Sequence, residues 1–326
     1  LSKGHFFPKL FLEFFLKTSG KRWKQYGLPC DDPLIKFPRV PRADTESCIQ
    51  LFEPGKPLPK LGFLMLCPDE VLMNGGELDL IQMMGQMAMD AFLVLEKAWQ
   101  MLGRRLVDFK VEFGMNEDGE LLLADVIDND SWRVLENGAY IDKQVYRDGG
   151  VLDHVLDNYR RVARLTDQFH LPVQRVIIWR GSDKDDVSVF ERYIAAIFPS
   201  LKTIVETCSV HKDPVFALTR LDRLVEEVPD SVLIACIGRS NGAGPTLSAA
   251  TTVPVITVPA NFNEFPNDIW SSLRTPSEVP VMTVVDPANA VLAALNILSV
   301  RNPKLYMYLR SQLEERRQNL VDLCPL

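Results

Sequence analysis

Three polar loops that follow apolar, strand-length runs carry the residues best suited to chemistry. The most informative is the glycine-rich loop of residues 238–245, which begins where an apolar run ends and precedes a segment able to start a helix. Glycines let backbone N–H groups approach an anion closely, and Arg239 adds a positive charge. The spacing matches neither the dinucleotide fingerprint nor the P-loop. The loop therefore indicates a phosphate-bearing small molecule, with a plain strand-to-helix turn as the alternative.

The other two loops are residues 180–186 and residues 209–214. Strand and helix patterns alternate from residue 173 onward, so we expect a parallel sheet with all three loops at its carboxyl edge. His211 is the only histidine in such a loop, and Lys212 lies beside it. A histidine suits proton transfer near neutral pH, whereas a surface histidine without a role is the alternative. The convergence of three loops favours a site.

Apolar periodicity predicts the elements that position these loops. Strands are expected at 173–179, 202–208, 231–237, 253–258 and 280–284. Helices are expected at 186–197, 214–228, 244–251, 267–274, 287–299 and 303–323. In the first half, the pattern predicts an extended segment at 1–17 and helices at 77–102 and 150–168.

A hairpin in the first half brings two carboxylates and a lysine together. Its turn signal is Asn-Glu-Asp-Gly at residues 116–119. With the loop at those four residues, Lys110 lies opposite Asp125, and Glu112 lies diagonal to Asp125 on the same face. This set suits a magnesium–phosphate site, and a solvated ion pair is the alternative.

Composition limits the class of protein. The 326 residues fit about two domains, and the net charge of -7 argues against a general nucleic-acid binder. No apolar run reaches the roughly 18 residues that span a membrane. Six cysteines without Cys-x-x-Cys spacing indicate reduced thiols. We therefore expect a cytoplasmic protein that binds neither nucleic acid nor membrane.

Ser-x-His-Lys-x-Pro at residues 209–214, followed by the glycine-rich loop, resembles the aminoimidazole ribonucleotide (AIR) carboxylase family in its animal form, and residues 269–274 are similar to it too. The resemblance implies a three-layer α/β/α sandwich assembled as a homo-octamer. It also implies carboxylation of aminoimidazole ribonucleotide by CO2 to carboxyaminoimidazole ribonucleotide, without ATP or another cofactor.

The same resemblance implies roles for individual residues. Ser209, His211 and Lys212 would be catalytic. The residues implied to bind substrate are Ser182, Asp185, Arg239, Ser240, Asn241 and Gly242.

Three positions depart from the family pattern. Lys184, Val210 and Asp213 stand where the family has Ser, Ala and Gly. We expect Val210 to crowd the reacting carboxylate and Asp213 to place negative charge near an anionic ligand. These departures motivate an alternative function, a catalytically impaired paralogue that acts as an assembly or regulatory partner.

The hairpin, with residues 32–35 and 142–147, resembles the C-terminal part of phosphoribosylaminoimidazole-succinocarboxamide (SAICAR) synthetase. That family is fused ahead of the carboxylase in animals, and it uses ATP and magnesium to ligate aspartate to carboxyaminoimidazole ribonucleotide. The resemblance assigns Glu112 and Asp125 to magnesium and Lys110 to the nucleotide phosphates. It assigns Asp32, Arg133, Lys143 and Arg147 to the substrate.

The sequence therefore predicts an α/β protein with two parts. An incomplete α+β SAICAR-synthetase-like domain is expected at 1–149, a linker helix at 150–169, and an AIR-carboxylase-like three-layer sandwich at 170–326. Because the family's N-terminal phosphate loop and adenine pocket are not found, we expect this chain alone to lack synthetase activity.

Overall fold

A computed structural model describes residues 9–37, 48–68, 76–142 and 152–323. The chain forms two compact units, one of residues 1–91 and 111–126 and the other of residues 92–110 and 127–326. The domain limits expected from the sequence stay a prediction.

The described elements up to residue 166 are short strands and two helices. In chain order they are β1 (Phe14–Phe15), β2 (Arg22–Trp23), β3 (Tyr26–Gly27), β4 (Leu34–Lys36), β5 (Ile49–Phe52), β6 (Leu64–Leu66), α1 (Gly76–Met101), β7 (Arg105–Phe109), β8 (Glu112–Met115), β9 (Leu121–Ala124), β10 (Trp132–Glu136), β11 (Ala139–Tyr140) and α2 (Leu152–Thr166). Within the expected strand at 1–17, only β1 is a strand among the described residues.

The first unit is built from antiparallel pairs. β1, β4, β5 and β6 form one sheet in that order, while β2 pairs with β3 and β8 pairs with β9. Leu28, Ile35, Ile49, Leu51 and Leu66 form its buried core.

The β8–β9 hairpin has a register one residue away from the expected one. Glu112 pairs with Ala124 and Met115 pairs with Leu121. Beyond that pair, the N–H of Asn116 donates to the carbonyl of Glu120 at 3.1 Å, so the turn is 117–119 in place of the expected 116–119, and Gly119 in it adopts a left-handed φ of 79°. Because a one-residue shift moves side chains to the other face, the predicted pairing of Lys110 with Asp125 is wrong.

The second unit begins with the end of α1 and a sheet in the order β11-β10-β7. The helix ends at a left-handed Gly103, where the N–H groups of Gly103 and Arg104 donate to the carbonyls of Gln100 and Trp99. Trp99 packs edge-on against Trp132, with ring centroids 5.4 Å apart, and anchors the core of this sheet.

The remaining elements alternate as expected from the sequence. They are β12 (Arg175–Arg180), α3 (Ser188–Ile197), β13 (Lys202–Thr207), α4 (Pro214–Glu227), β14 (Ser231–Ile237), α5 (Ala243–Ala249), β15 (Val255–Pro259), a 3₁₀ turn (Pro266–Ile269), α6 (Trp270–Leu273), β16 (Val281–Thr283), α7 (Pro287–Ser299) and α8 (Pro303–Leu323).

A five-stranded parallel sheet in the order β13-β12-β14-β15-β16 forms the centre of this part. Alternate residues of β12 enter different cores: Val176 and Ile178 pack with α3 and α7, while Ile177 and Trp179 pack with α4 and α5. Burial on both faces explains the continuous apolar strands. The predicted three-layer α/β/α sandwich is confirmed.

Candidate functional site

Loops that follow β12, β13 and β14 meet at the carboxyl edge of the parallel sheet. The Asp185 carboxylate, after β12, lies against the backbone of Gly238, after β14. A Cβ built on Gly242 would lie 3.9 Å from Nε2 of His211, which follows β13. The expected convergence of the three loops is therefore what the structure shows.

The first loop is organised by a buried carboxylate. Asp185 is 9% exposed, and its Oδ2 accepts a hydrogen bond from the backbone N–H of Ser182 at 3.1 Å. A Cβ built on Gly238 would overlap Oδ1 of Asp185, so any larger residue at this position would displace the carboxylate. Ser182 Oγ in turn accepts from the N–H of Lys184 at 3.3 Å. These bonds hold Ser182 and Asp185 at the site, and the Lys184 side chain remains exposed.

The second loop presents its two basic side chains to solvent. The carbonyl of Ser209 accepts hydrogen bonds from the N–H groups of Lys212 and Asp213, at 3.1 and 3.0 Å. His211 and Lys212, within that tight turn, are both exposed. The turn can therefore offer a proton acceptor and a cation to a bound molecule.

Two departures from the family pattern have structural roles. Val210 is 4% exposed and packs in the core beside Trp179 and Ile237, so it does not crowd the exposed edge as expected. Asp213 is the N-cap of α4, where its Oδ1 accepts from the N–H of Phe216 at 3.1 Å, and Pro214 follows at the first helical position. Both residues are explained by local folding.

The third loop is held by side chains from the segment after β15. Ser240 adopts a left-handed φ of 49°, and its N–H donates to Oδ2 of Asp268 at 3.2 Å. The Arg239 guanidinium carbon lies 4.2 Å from the ring centroid of Phe265. Both Arg239 and Ser240 are exposed. The loop thus offers a positively charged, solvent-facing surface near His211.

Asn241 differs from its neighbours in the same loop. It is fully buried, its Oδ1 accepts from Thr257 Oγ1 at 2.9 Å, and its Nδ2 donates to Ser272 Oγ at 2.8 Å. The side chain of Asn241 is therefore taken up by internal hydrogen bonds, and the predicted binding of substrate at this residue, for which the backbone is left, stays a prediction. From the sequence, a polar side chain in a glycine-rich loop indicates ligand binding, but here the loop folds Asn241 inward.

Cys236, the penultimate residue of β14, lies under the site. Burial, with a smaller contribution from the negative charge of Asp185, raises the pKa of its thiol to about 12. The thiol is therefore protonated at neutral pH, and the nucleophilic thiolate form is disfavoured.

Sequence reasoning missed the residues that follow β15. Asn261, Phe265 and Asp268 contact the glycine-rich loop, and the side-chain Nδ2 of Asn261 donates to the carbonyl of Gly238 at 3.4 Å. The same rule that located the first three loops applies to this one, because it too leaves the carboxyl end of a parallel strand. Residues 260–268 contain neither histidine nor glycine, so this loop carries no motif that marks it in the sequence.

The residues that the resemblance assigns to ligand binding in the synthetase lie partly in the first unit and partly in the second. In the first unit, Asp32 has a left-handed φ of 47° and exchanges two hydrogen bonds of 2.9 Å with Thr18, one through its carboxylate and one through its N–H. In the second unit, Lys110 is exposed and its N–H donates to the carbonyl of Ser131 at 2.8 Å. Lys143 and Arg147 lie outside the described residues.

Arg133 already has a carboxylate partner. Its Nε donates to Asp108 Oδ1 at 2.8 Å, and its Nη2 pairs with Asp108 Oδ2 directly across the sheet. This hydrogen bond raises the pKa of Arg133 above its usual value. A phosphate at Arg133 would have to share the guanidinium with Asp108.

Glu112 and Asp125 each have a partner within the first unit. Oε1 of Glu112 lies 3.2 Å from Nζ of Lys17, and Oδ1 of Asp125 accepts the N–H of Val126 at 2.8 Å. Across the described part of the chain, no three His, Cys, Asp or Glu side chains are grouped so that they could hold a metal ion. Because Mg²⁺ is usually held by one or two carboxylates together with substrate phosphates, the magnesium role that the resemblance implied for Glu112 and Asp125 stays a prediction.

Among the described residues, no helix has both the length and the apolar character needed to cross a membrane. Comparison with family models matches residues 175–320 to AIR carboxylase and residues 64–165 to SAICAR synthetase.

Curated relatives contain both regions. The chain is 40% identical over 234 residues to a probable multifunctional protein ADE2 of Caenorhabditis elegans, covering 68% of this chain and 55% of the relative. It is 39% identical over 245 residues to a bifunctional phosphoribosylaminoimidazole carboxylase/phosphoribosylaminoimidazole succinocarboxamide synthetase of Drosophila melanogaster, covering 71% of this chain and 56% of the relative. The chain thus spans about half the length of these relatives. A solved structure of Treponema denticola PurE is 26% identical, with a TM-score of 0.41, and covers 46% of this chain and 95% of that one.

Proposed function

Residues 175–320 belong to the AIR carboxylase family and residues 64–165 to the SAICAR synthetase family, in a chain of the bifunctional type, and from this premise we propose that the protein acts in de novo purine biosynthesis. The reaction proposed for the second region joins carbon 4 of aminoimidazole ribonucleotide to the carbon of CO2. A proton leaves carbon 4, and carboxyaminoimidazole ribonucleotide is the product.

The observation that carries this proposal is the close approach of the exposed His211 to the backbone of Gly242 at the carboxyl edge of the sheet. A Cβ built on Gly242 would lie 3.9 Å from Nε2 of His211. A general base has to come close to the proton that it accepts. Gly242 has no side chain, so a ribonucleotide lying on this loop is within reach of Nε2. We assign the proton from carbon 4 to His211.

Charged and polar groups around His211 suit the rest of the substrate. Lys212 and Arg239 provide exposed cations for the new carboxylate and the phosphate. Hydrogen bonds from charged donors to these anions are stronger than those between neutral groups. Asp185 and Ser182 form the other side of the loop cluster, where ribose hydroxyls can donate to the Asp185 carboxylate. Ser209 lies in the turn that carries His211 and completes the proposed catalytic group.

The alternative function, an impaired paralogue acting as a partner, loses much of its motivation. Val210 packs in the core, and Asp213 caps a helix. Lys184 is exposed at the edge of the first loop, where a positive charge is compatible with a phosphate. All three departures are therefore compatible with carboxylation.

For the full-length protein we extend the proposal to the ATP-dependent ligation of aspartate to carboxyaminoimidazole ribonucleotide, and the lack of this activity in the present chain alone stays a prediction. The support is the family match over residues 64–165, a range that includes the exposed Lys110. A cytoplasmic location agrees with the buried, unpaired thiols of Cys208 and Cys236. Magnesium and assembly as a homo-octamer stay predictions.

The test follows aminoimidazole ribonucleotide by ultraviolet absorbance in CO2-saturated buffer without ATP. The purified chain should convert aminoimidazole ribonucleotide to carboxyaminoimidazole ribonucleotide. His211→Gln should lower kcat by about 100-fold or more, the contribution typical of a general base. His154→Gln, at an exposed histidine of α2, is the matched control and should leave kcat unchanged. Equal activity of the two variants would contradict the role of His211.

A further inference from the structure

We propose that Asn241 is a positioning residue, which locks the glycine-rich loop beside His211 through a buried hydrogen-bonded chain with Thr257 and Ser272. The inference rests on the proposed carboxylation and goes beyond it by naming the residues that fix the geometry of the site. None of these three side chains needs to touch the substrate.

The chain of hydrogen bonds ties three segments together. Thr257 on β15 donates to Asn241, and Asn241 donates to Ser272 on α6. Ser272 Oγ in turn donates a hydrogen bond to the carbonyl of Ile269 at 3.0 Å. Asn241, Thr257 and Ser272 are at most 3% exposed, so water does not compete for these bonds. Within this series of hydrogen bonds, each buried polar atom has its hydrogen-bond partner in the next residue of the series, so the loss of one group leaves another unpaired.

Close packing reinforces this arrangement. A Cβ built on Gly244 would lie 2.5 Å from Oγ1 of Thr257, so the start of α5 sits directly on β15. Asn241 lies three residues before that contact and one residue before Gly242, which approaches His211. A shift of the Asn241 side chain therefore moves the backbone that faces the imidazole.

The amide of asparagine fits this position better than other side chains of its size. One atom has to accept from a threonine hydroxyl, while the other has to donate to a serine hydroxyl whose proton is already committed to Ile269. Aspartate offers no donor, and leucine offers neither group. A misplacement of about 1 Å at an active site can cost roughly 100-fold in rate.

The test compares Ser272→Ala with Ser231→Ala. Ser231 is a matched control because its buried Oγ also donates to a carbonyl, that of Val228, at the opposite end of β14. Ser272→Ala should lower kcat/KM by about tenfold or more, mainly through kcat, and should speed amide hydrogen exchange at residues 239–243. Ser231→Ala should lose comparable thermal stability without either change. Thr257→Val, which keeps the side-chain shape, serves as a second variant if Ser272→Ala folds poorly.

Hydrogen exchange separates this proposal from the carboxylation itself. If the wild-type chain shows no turnover, the proposed function fails, and the exchange rates still decide the role of Asn241. Unchanged exchange at residues 239–243 in both Ser272→Ala and Thr257→Val overturns the positioning role. Equal acceleration by Ser231→Ala overturns it as well.

Discussion

The carboxylate of Asp185 occupies the space that Gly238 leaves open by having no side chain. The two residues follow neighbouring parallel strands, β12 and β14. Their contact sets the distance between the loop of Ser182 and the glycine-rich loop. The site is therefore assembled by the close approach of a buried carboxylate to a backbone.

This contact predicts that alanine is destabilising at Gly238 but tolerated at Gly181. Gly238→Ala should destabilise the protein by about 1–3 kcal/mol and weaken ribonucleotide binding, because the new methyl group displaces Asp185. Gly181→Ala is the matched control, since its Cβ would lie 3.5 Å from Asp185 Oδ2, an ordinary contact. Urea unfolding and calorimetric titration measure the two effects. A Gly238→Ala variant as stable as Gly181→Ala would refute the close approach.

The cap of α4 predicts a graded series at Asp213. Asp213→Ala should cost about 1 kcal/mol of unfolding free energy, because the N–H of Phe216 loses its acceptor. Asp213→Asn, which retains an acceptor oxygen, should be close to the wild type, and Asp213→Gly should cost only a few tenths of a kcal/mol. Urea unfolding gives the ranking. Equal stability of the alanine variant would show that the carboxylate does not cap the helix.

The burial of Val210 predicts a loss of stability without a gain in turnover. Val210→Ala removes two buried carbons and should cost about 2 kcal/mol. Val232→Ala, at the amino end of β14 and fully buried, should cost a similar amount and is the control for volume. Steady-state carboxylation at a temperature where both variants are folded is the measurement. A several-fold rise in kcat for Val210→Ala alone would mean that Val210 crowds the substrate after all.

Tyr306 predicts a loss of stability at alkaline pH. Its hydroxyl donates to Glu96 Oε2 at 2.9 Å, and burial followed by the charge of Glu96 raises the phenol pKa from 10.0 to about 12. Because the unfolded chain ionises first, the stabilisation is complete below pH 10 and declines as pH rises towards 12.

Tyr306→Phe should therefore lower the unfolding free energy by about 1 kcal/mol at pH 8, through the lost hydrogen bond, and show a shallower decline above pH 10. Urea unfolding at a series of pH values provides the comparison. Tyr193→Phe, at an exposed tyrosine, is the control. Parallel pH curves for the wild type and Tyr306→Phe would be inconsistent with a raised pKa.

Sequence patterns predicted the parallel sheet well because its strands are buried on both faces. The run 231–237 is β14 without any shift, and the rule of carboxyl-end loops brought Asp185, His211 and Gly242 together. Such signals are local: an apolar run, a glycine and a change of periodicity lie within a few residues of one another.

The features that the sequence did not predict depend on distant partners or on one backbone angle. Asn241 turns inward because Thr257 and Ser272, both more than a dozen residues away in the sequence, are the hydrogen-bond partners of its side-chain amide. The hairpin register depends on the left-handed φ of Gly119, which shortens the loop by one residue. Neither is encoded in the periodicity of the surrounding segment.

The most direct test of the account is incorporation of carbon-13-labelled CO2 into aminoimidazole ribonucleotide by the purified chain, without ATP. The account predicts a labelled carboxylate on carbon 4, formed by the wild type and by His154→Gln but not by His211→Gln. A folded chain that binds the ribonucleotide and transfers no label would contradict it.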